Sequence, residues 1–144
     1  MRTLLHKITL VRLELNFMNE KAVIHEFNPQ IYPRLLWVTY GCPTEVLKDM
    51  FGEKAKDMDE ATNAEVINCC RMKPDVRGGV LIRFRNKNEM TMENIAHEAV
   101  HAALEIFDYV NARIAYDNQE PFAYLVGWIA DCCNQVKIGK TNKQ

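Results

Sequence analysis

His97-Glu98-Ala99-Val100-His101 is the one stretch of the sequence whose residue types and spacing propose a reaction. Two histidines four apart on a helix project from one face, because neighbours on a 3.6-residue spiral lie at i+3 and i+4. Both imidazoles can then reach one metal ion, and the glutamate beside the first can reach a water held by that metal. In this pattern neutral His97 and His101 bind a single Zn2+ ion and Glu98 is the general base. Zinc lowers the pKa of its water to roughly 7. Glu98 can take the proton as that water attacks a carbonyl, then hand it to the leaving amine. The competing explanation is a pair of partly buried histidines that found hydrogen-bond partners on an amphipathic helix. Against it, two of the four histidines fall at this spacing with glutamate in place.

A catalytic zinc usually takes three protein ligands and keeps one position open. A metzincin would place glycine at 104 and histidine at 107, where this sequence has Leu104 and Phe107, so that class is excluded. Glu105 lies one turn after His101, but three ligands in one helical row surround a tetrahedral ion poorly. Asp108 suits an outer position from which it could orient a ligating histidine. Glu120 is the favoured third ligand, because it opens a separate helix that can return to the metal. Asp117-Asn118-Gln119-Glu120 also fits a capping box, in which Glu120 would only satisfy backbone donors.

The elements that must position these residues are legible in the patterning. Residues 11–17 alternate apolar and polar as a half-buried strand does, and 22–27 can return from it as a second strand. Residues 1–17 could equally be an N-terminal appendage. Residues 35–40 favour a buried strand closed by Gly41. Pro43 opens a short helix over 44–51, stopped by Gly52. Residues 53–60 read as a surface loop or solvated helix. Residues 66–72 and 80–85 form a hairpin through a turn containing Pro74, Gly78 and Gly79. Thr91 caps the helix of the motif, with Met90 and Ile95 as its hydrophobic staple. Its apolar stripe is Ile95, Ala99, Ala102, Ala103 and Ile106. A last helix runs from about 118 to 136 and buries Phe122, Leu125, Val126, Ile129 and Ala130.

Bulk properties narrow the class. A chain of 144 residues with 48% apolar and 26% charged residues has the composition of one soluble globular domain. A net charge of −1 gives no general reason to seek nucleic acid or an anionic membrane. No signal peptide or membrane-spanning run is present, so a cytoplasmic location is expected. The odd count of five cysteines fits a reducing compartment, with the pairs Cys69-Cys70 and Cys132-Cys133 acting as small buried hydrophobes. Arg83, Arg85 and Lys87 around Phe84 could form a nucleic-acid patch, but alternating basic residues on a strand read better as a solvated face.

The motif followed by Glu120-Pro121-Phe122-Ala123-Tyr124-Leu125-Val126-Gly127-Trp128, 19 residues after His101, resembles the gluzincin type of zinc metallopeptidase. More narrowly, the chain is similar to short metallopeptidase-like proteins of phages and mobile elements. Those also carry a strand like Tyr32-Pro33-Arg34-Leu35-Leu36-Trp37 before the active-site helix. The resemblance covers about residues 31–131. It implies an α+β, minimal zincin-like domain with a small mixed sheet packed on the active-site helix. It also implies His97, His101 and Glu120 as ligands, Glu98 as base, and a peptide or protein substrate. The substrate would pair with the strand leading to the helix, residues 79–85, by β-augmentation.

The sequence departs from the larger gluzincins in three respects. Gln119 precedes Glu120, and Tyr124 stands where an aspartate falls. No histidine follows His101 to stabilise the oxyanion, which leaves Tyr109, Tyr116 or Tyr124 as phenolic donors. Little chain remains after Glu120 to build the far wall of a cleft. A zinc-bearing protein-binding module, weak or inactive in catalysis, is therefore the alternative to a peptidase.

Overall fold

The structure, a computed structural model, describes residues 11–12 and 23–140. The elements in chain order are β1 (Val11–Arg12), β2 (Val23–Phe27), β3 (Leu35–Tyr40), α1 (Thr44–Phe51), β4 (Ala64–Arg71), β5 (Arg77–Phe84), α2 (Met92–Tyr109) and α3 (Glu120–Ile138). The fold is α+β, and the described strands form one mixed sheet in the order β1-β2-β3-β5-β4. Among the described residues only β3 and β5 run parallel, with Leu35 opposite Gly79 and Tyr40 opposite Phe84. The expected hairpin is β4–β5, paired antiparallel from Ala64↔Phe84 to Arg71↔Arg77. Residues 13–17 of the expected first strand lie outside the described residues, and Val11 and Arg12 pair with β2 as an edge strand.

Alternation along the central strands splits the core in two. Leu36, Val38, Val80, Ile82 and Phe84 face α2 and α3. Leu35, Trp37, Leu81 and Cys69 face α1 through Val46, Leu47, Met50 and Phe51. The helix α1 ends at Gly52, whose φ of 74° is a left-handed conformation that suits glycine. Residues 53–60 begin with a single 3-10 turn and bury Ala55 against the α1 side of the sheet. No helix among the described residues is long and apolar enough to cross a membrane.

Thr91 caps α2 as its sequence requires, its Oγ1 accepting from the Asn94 N–H at 3.1 Å, a contact worth about 1 kcal/mol. Both staple residues, Met90 and Ile95, are buried. Ala99, Ala102 and Ala103 are small, so α2 lies close against both sheet and α3. The last helix starts at Glu120, with Gln119 as N-cap and no side-chain capping bond. The capping box proposed for Asp117 to Glu120 therefore does not form. At the other end Gly139 closes the helix in the left-handed region.

The basic stretch on β5 corrects the expectation of a solvated face. Arg83 is 3% exposed. It ion-pairs with Glu65 and donates to the Lys56 carbonyl. Arg85 is spent on the carbonyls of Asp59 and Thr62. Both guanidiniums tie the 55–63 loop to the sheet. Of the cysteines, Cys69, Cys132 and Cys133 are buried and free, as small hydrophobes would be, whereas Cys70 is exposed.

Candidate metal centre and active-site groove

Helical spacing brings the two histidines together as expected. His97 and His101 lie on the solvent side of α2, with ring centroids 4.7 Å apart. Their Nε2 atoms are 3.1 Å apart. Two nitrogens bound to one tetrahedral zinc at 2.0–2.1 Å would be separated by roughly 3.3 Å. That separation is a ring-to-ring hydrogen bond and also lies within about 0.2 Å of the span one zinc ion needs, so the pair can supply two of its ligands.

Glu98 occupies a different surface of the same helix. The buried residues of α2 are Ile95, Glu98, Ala99, Ala102, Ala103, Ile106 and Phe107. Glu98 thus interrupts the apolar stripe at a position where packing alone would select a hydrophobe. A carboxylate placed there costs desolvation. Burial raises its pKa above the usual glutamate range, an effect opposed by the two neighbouring imidazoles and reinforced by Glu65. A carboxylate moved towards neutrality is a better general base near pH 7. Behind it on α3, burial pushes the Cys133 thiol up to about 12, with the Glu98 charge adding to the effect.

The histidines and Glu98 open onto a groove of about 310 Å³. One wall is α2, through His97, Glu98, His101 and Glu105, and the other is β4, through Ala64, Glu65 and Val66. This geometry corrects the choice of substrate-pairing strand. β5 is hydrogen-bonded to β3 on one side and β4 on the other, so it has no free edge. Among the described residues, the free edge beside the histidines belongs to β4, which pairs with β5 alone. Sequence order misled because the hairpin turns the later strand inward and leaves the earlier one outermost.

Glu120 is not brought to the histidines. It is exposed at the first turn of α3 and does not line the groove. α2 and α3 pack antiparallel, with Phe107 against Phe122 at 5.3 Å and Glu98 near Cys133. That register sets Glu120 beside the end of α2, roughly 13 Å along the axis from His101 at 1.5 Å per residue. Among the described residues, no three His, Cys, Asp or Glu side chains gather as a metal-holding group. Asp108 is exposed and does not line the groove. Tyr109, Tyr116 and Tyr124 are also exposed and outside it.

Two residues that the sequence reading passed over join the site. Asn68 on β4 donates from Nδ2 to Glu105 Oε2 at 2.8 Å. Arg34, buried at the start of β3, donates to Asn68 Oδ1 and, at 2.8 Å, to the Gly79 carbonyl. Its guanidinium carbon sits 4.4 Å from the centre of the Tyr109 ring. The available signal was an asparagine inside an otherwise apolar strand, Val66-Ile67-Asn68-Cys69-Cys70. No protein-family model, curated protein or solved structure matches this chain.

Proposed function

We infer that the chain is a single-zinc metallopeptidase of the gluzincin type, acting on a peptide laid along the free edge of β4. The 3.1 Å approach of the two Nε2 atoms, beside a buried Glu98 and an open strand edge, carries this reading. His97 and His101 would hold the ion. Glu120 would complete the ligand set only if the first turn of α3 and residues 110–119 shift towards His101. Zinc, when bound, supplies a Lewis acid and an acidified water. Glu98 takes a proton from the attacking water and returns it to the departing amine. Lys54 Nζ donates to the Asn68 carbonyl of β4; the outward-facing N–H and C=O groups before it would align an extended peptide across the groove, and its side chains would alternate towards and away from α2.

A second reading is a zinc-bearing module that holds a protein segment on β4 without cutting it. The edge of β4 left open among the described residues, which can pair with a strand whether or not the bond is cut, favours that alternative.

Metal analysis of untagged protein, followed by cleavage of a diverse peptide library, tests both. The peptidase requires about one zinc per chain that is lost in His97→Ala. It also requires cleavage that disappears in Glu98→Gln while zinc stays. Zinc with binding but no cleavage in the parent protein points to the module, and absence of zinc rejects both.

A further inference from the structure

We propose that Glu105 is a specificity-determining residue that selects a cationic group on the bound peptide, at the end of the groove beyond His101. The location of the peptide rests on the metallopeptidase reading, whereas the charge preference rests on Glu105 and its supports. Glu105 follows His101 by one helical turn on the same face and lines the groove. One carboxylate oxygen is held by Asn68 Nδ2 at 2.8 Å. Asn68 is in turn held by Arg34, a cation only 6% exposed. The neutral amide between them fixes the direction of the Glu105 carboxylate without giving it an ion-pair partner.

The other acids of the groove are differently placed. Glu65 is paired with Arg83, and Glu98 is buried in the helix stripe. Among the described residues, no Lys or Arg lies within ion-pair distance of Glu105. Among the described residues the groove therefore ends in an oriented carboxylate with no direct ion-pair partner, the nearest cation, Arg34, being separated from it by Asn68. It stands roughly 6 Å along α2 from His101. A peptide on β4 advances about 3.3 Å per residue, so Glu105 meets a group carried about two residues from the bond above the histidines. A lysine or arginine side chain fits that reach, and so does the α-ammonium of a short peptide.

The test uses zinc-treated Glu98→Gln protein, so that peptides bind without being cut, and fluorescent peptides varied one position at a time. Each position carries lysine, glutamine or glutamate, with the N-terminus free or acetylated. Lysine should bind about ten-fold more tightly than glutamine at one position. Adding Glu105→Gln should reduce that ratio to about two or less, and Glu105→Lys should reverse it in favour of glutamate. A preference that vanishes on acetylation assigns the contact to the α-ammonium, and one that persists assigns it to a side chain. Lack of any lysine preference, or its survival in both Glu105 variants, overturns the proposal. Loss of zinc in Glu105→Gln also overturns it, because Glu105 would then be a ligand. Absence of zinc from the parent protein breaks only the metallopeptidase reading, since the charge preference is read from binding.

Discussion

Zinc should stabilise the native fold through His97 and His101, by an amount set by the ratio of free zinc to the dissociation constant. The Nε2 atoms stand 3.1 Å apart, about 0.2 Å short of the tetrahedral spacing, so binding costs little ring reorganisation. The unfolded chain holds the same residues without that alignment and binds more weakly. Free zinc at 100 times the dissociation constant then adds about 2.7 kcal/mol to stability. For 144 residues, an unfolding entropy near 0.3 kcal/mol/K converts this to a rise in Tm of about 9 °C. Scanning calorimetry with buffered zinc, against the same protein in chelator, measures it. His101→Ala should lose nearly all of the rise. Glu98→Gln should keep it, because a base that touches water is not a ligand. Glu120→Gln separates two outcomes: a reduced rise means that α3 moves to supply a third ligand, and an unchanged rise leaves Glu120 outside the shell. A parent protein whose Tm ignores zinc, or a His101→Ala variant that responds equally, refutes the reasoning.

Gly79→Ala should destabilise the fold by about 3 kcal/mol, the upper end for overpacking, seen as a fall in the urea midpoint of about 1–2 M. A Cβ there would stand 2.3 Å from the Leu35 carbonyl oxygen and 2.5 Å from the Trp37 ring. Gly127→Ala is the matched control: nothing lies within 4 Å of its Cβ inside α3, and a gain of up to about 1 kcal/mol is expected. Alkylation of the native protein followed by mass spectrometry should modify exposed Cys70 first and half-exposed Cys42 slowly. Cys69, Cys132 and Cys133 should stay unmodified until unfolding, since burial holds their thiols protonated, Cys69 with a pKa raised to about 12. Burial lowers the pKa of His25, whose Nδ1 has no partner among the described residues. As pH falls below about 6.5 the unfolded chain protonates His25 first, so its contribution is full above that pH and is lost towards the lower folded-state value. Urea midpoints measured from pH 7 to 5 should fall less steeply in His25→Gln, and an identical slope contradicts this assignment.

Much of the local structure was legible in the sequence because its causes are local. Thr91, Met90 and Ile95 fix the start of α2 within one turn, and the i, i+4 spacing alone brings His97 and His101 together. Gly52 and Gly139 end their helices at the expected places for the same reason, since the positive φ that each adopts involves only adjacent residues. The periodicity even showed an apolar stripe on α2, although not that Glu98 stands inside it.

What the sequence could not decide depends on which elements lie side by side. Strand order put β4 rather than β5 at the free edge, and nothing within either strand encodes that choice. It follows from the parallel pairing of β3 with β5 across an intervening helix and strand. The antiparallel pairing of β4 with β5 sets Arg83 directly opposite Glu65, where alternation alone predicted a solvated base. The register of α3 on α2, set by Phe122 on Phe107, leaves Glu120 about two turns from the histidines. Tertiary structure alone also joined Arg34, Asn68 and Glu105, which are 34 and 37 residues apart in sequence. The motif determined by itself which atoms can meet a metal. Only the packing of distant segments determined what stands around those atoms and which strand edge lies beside them.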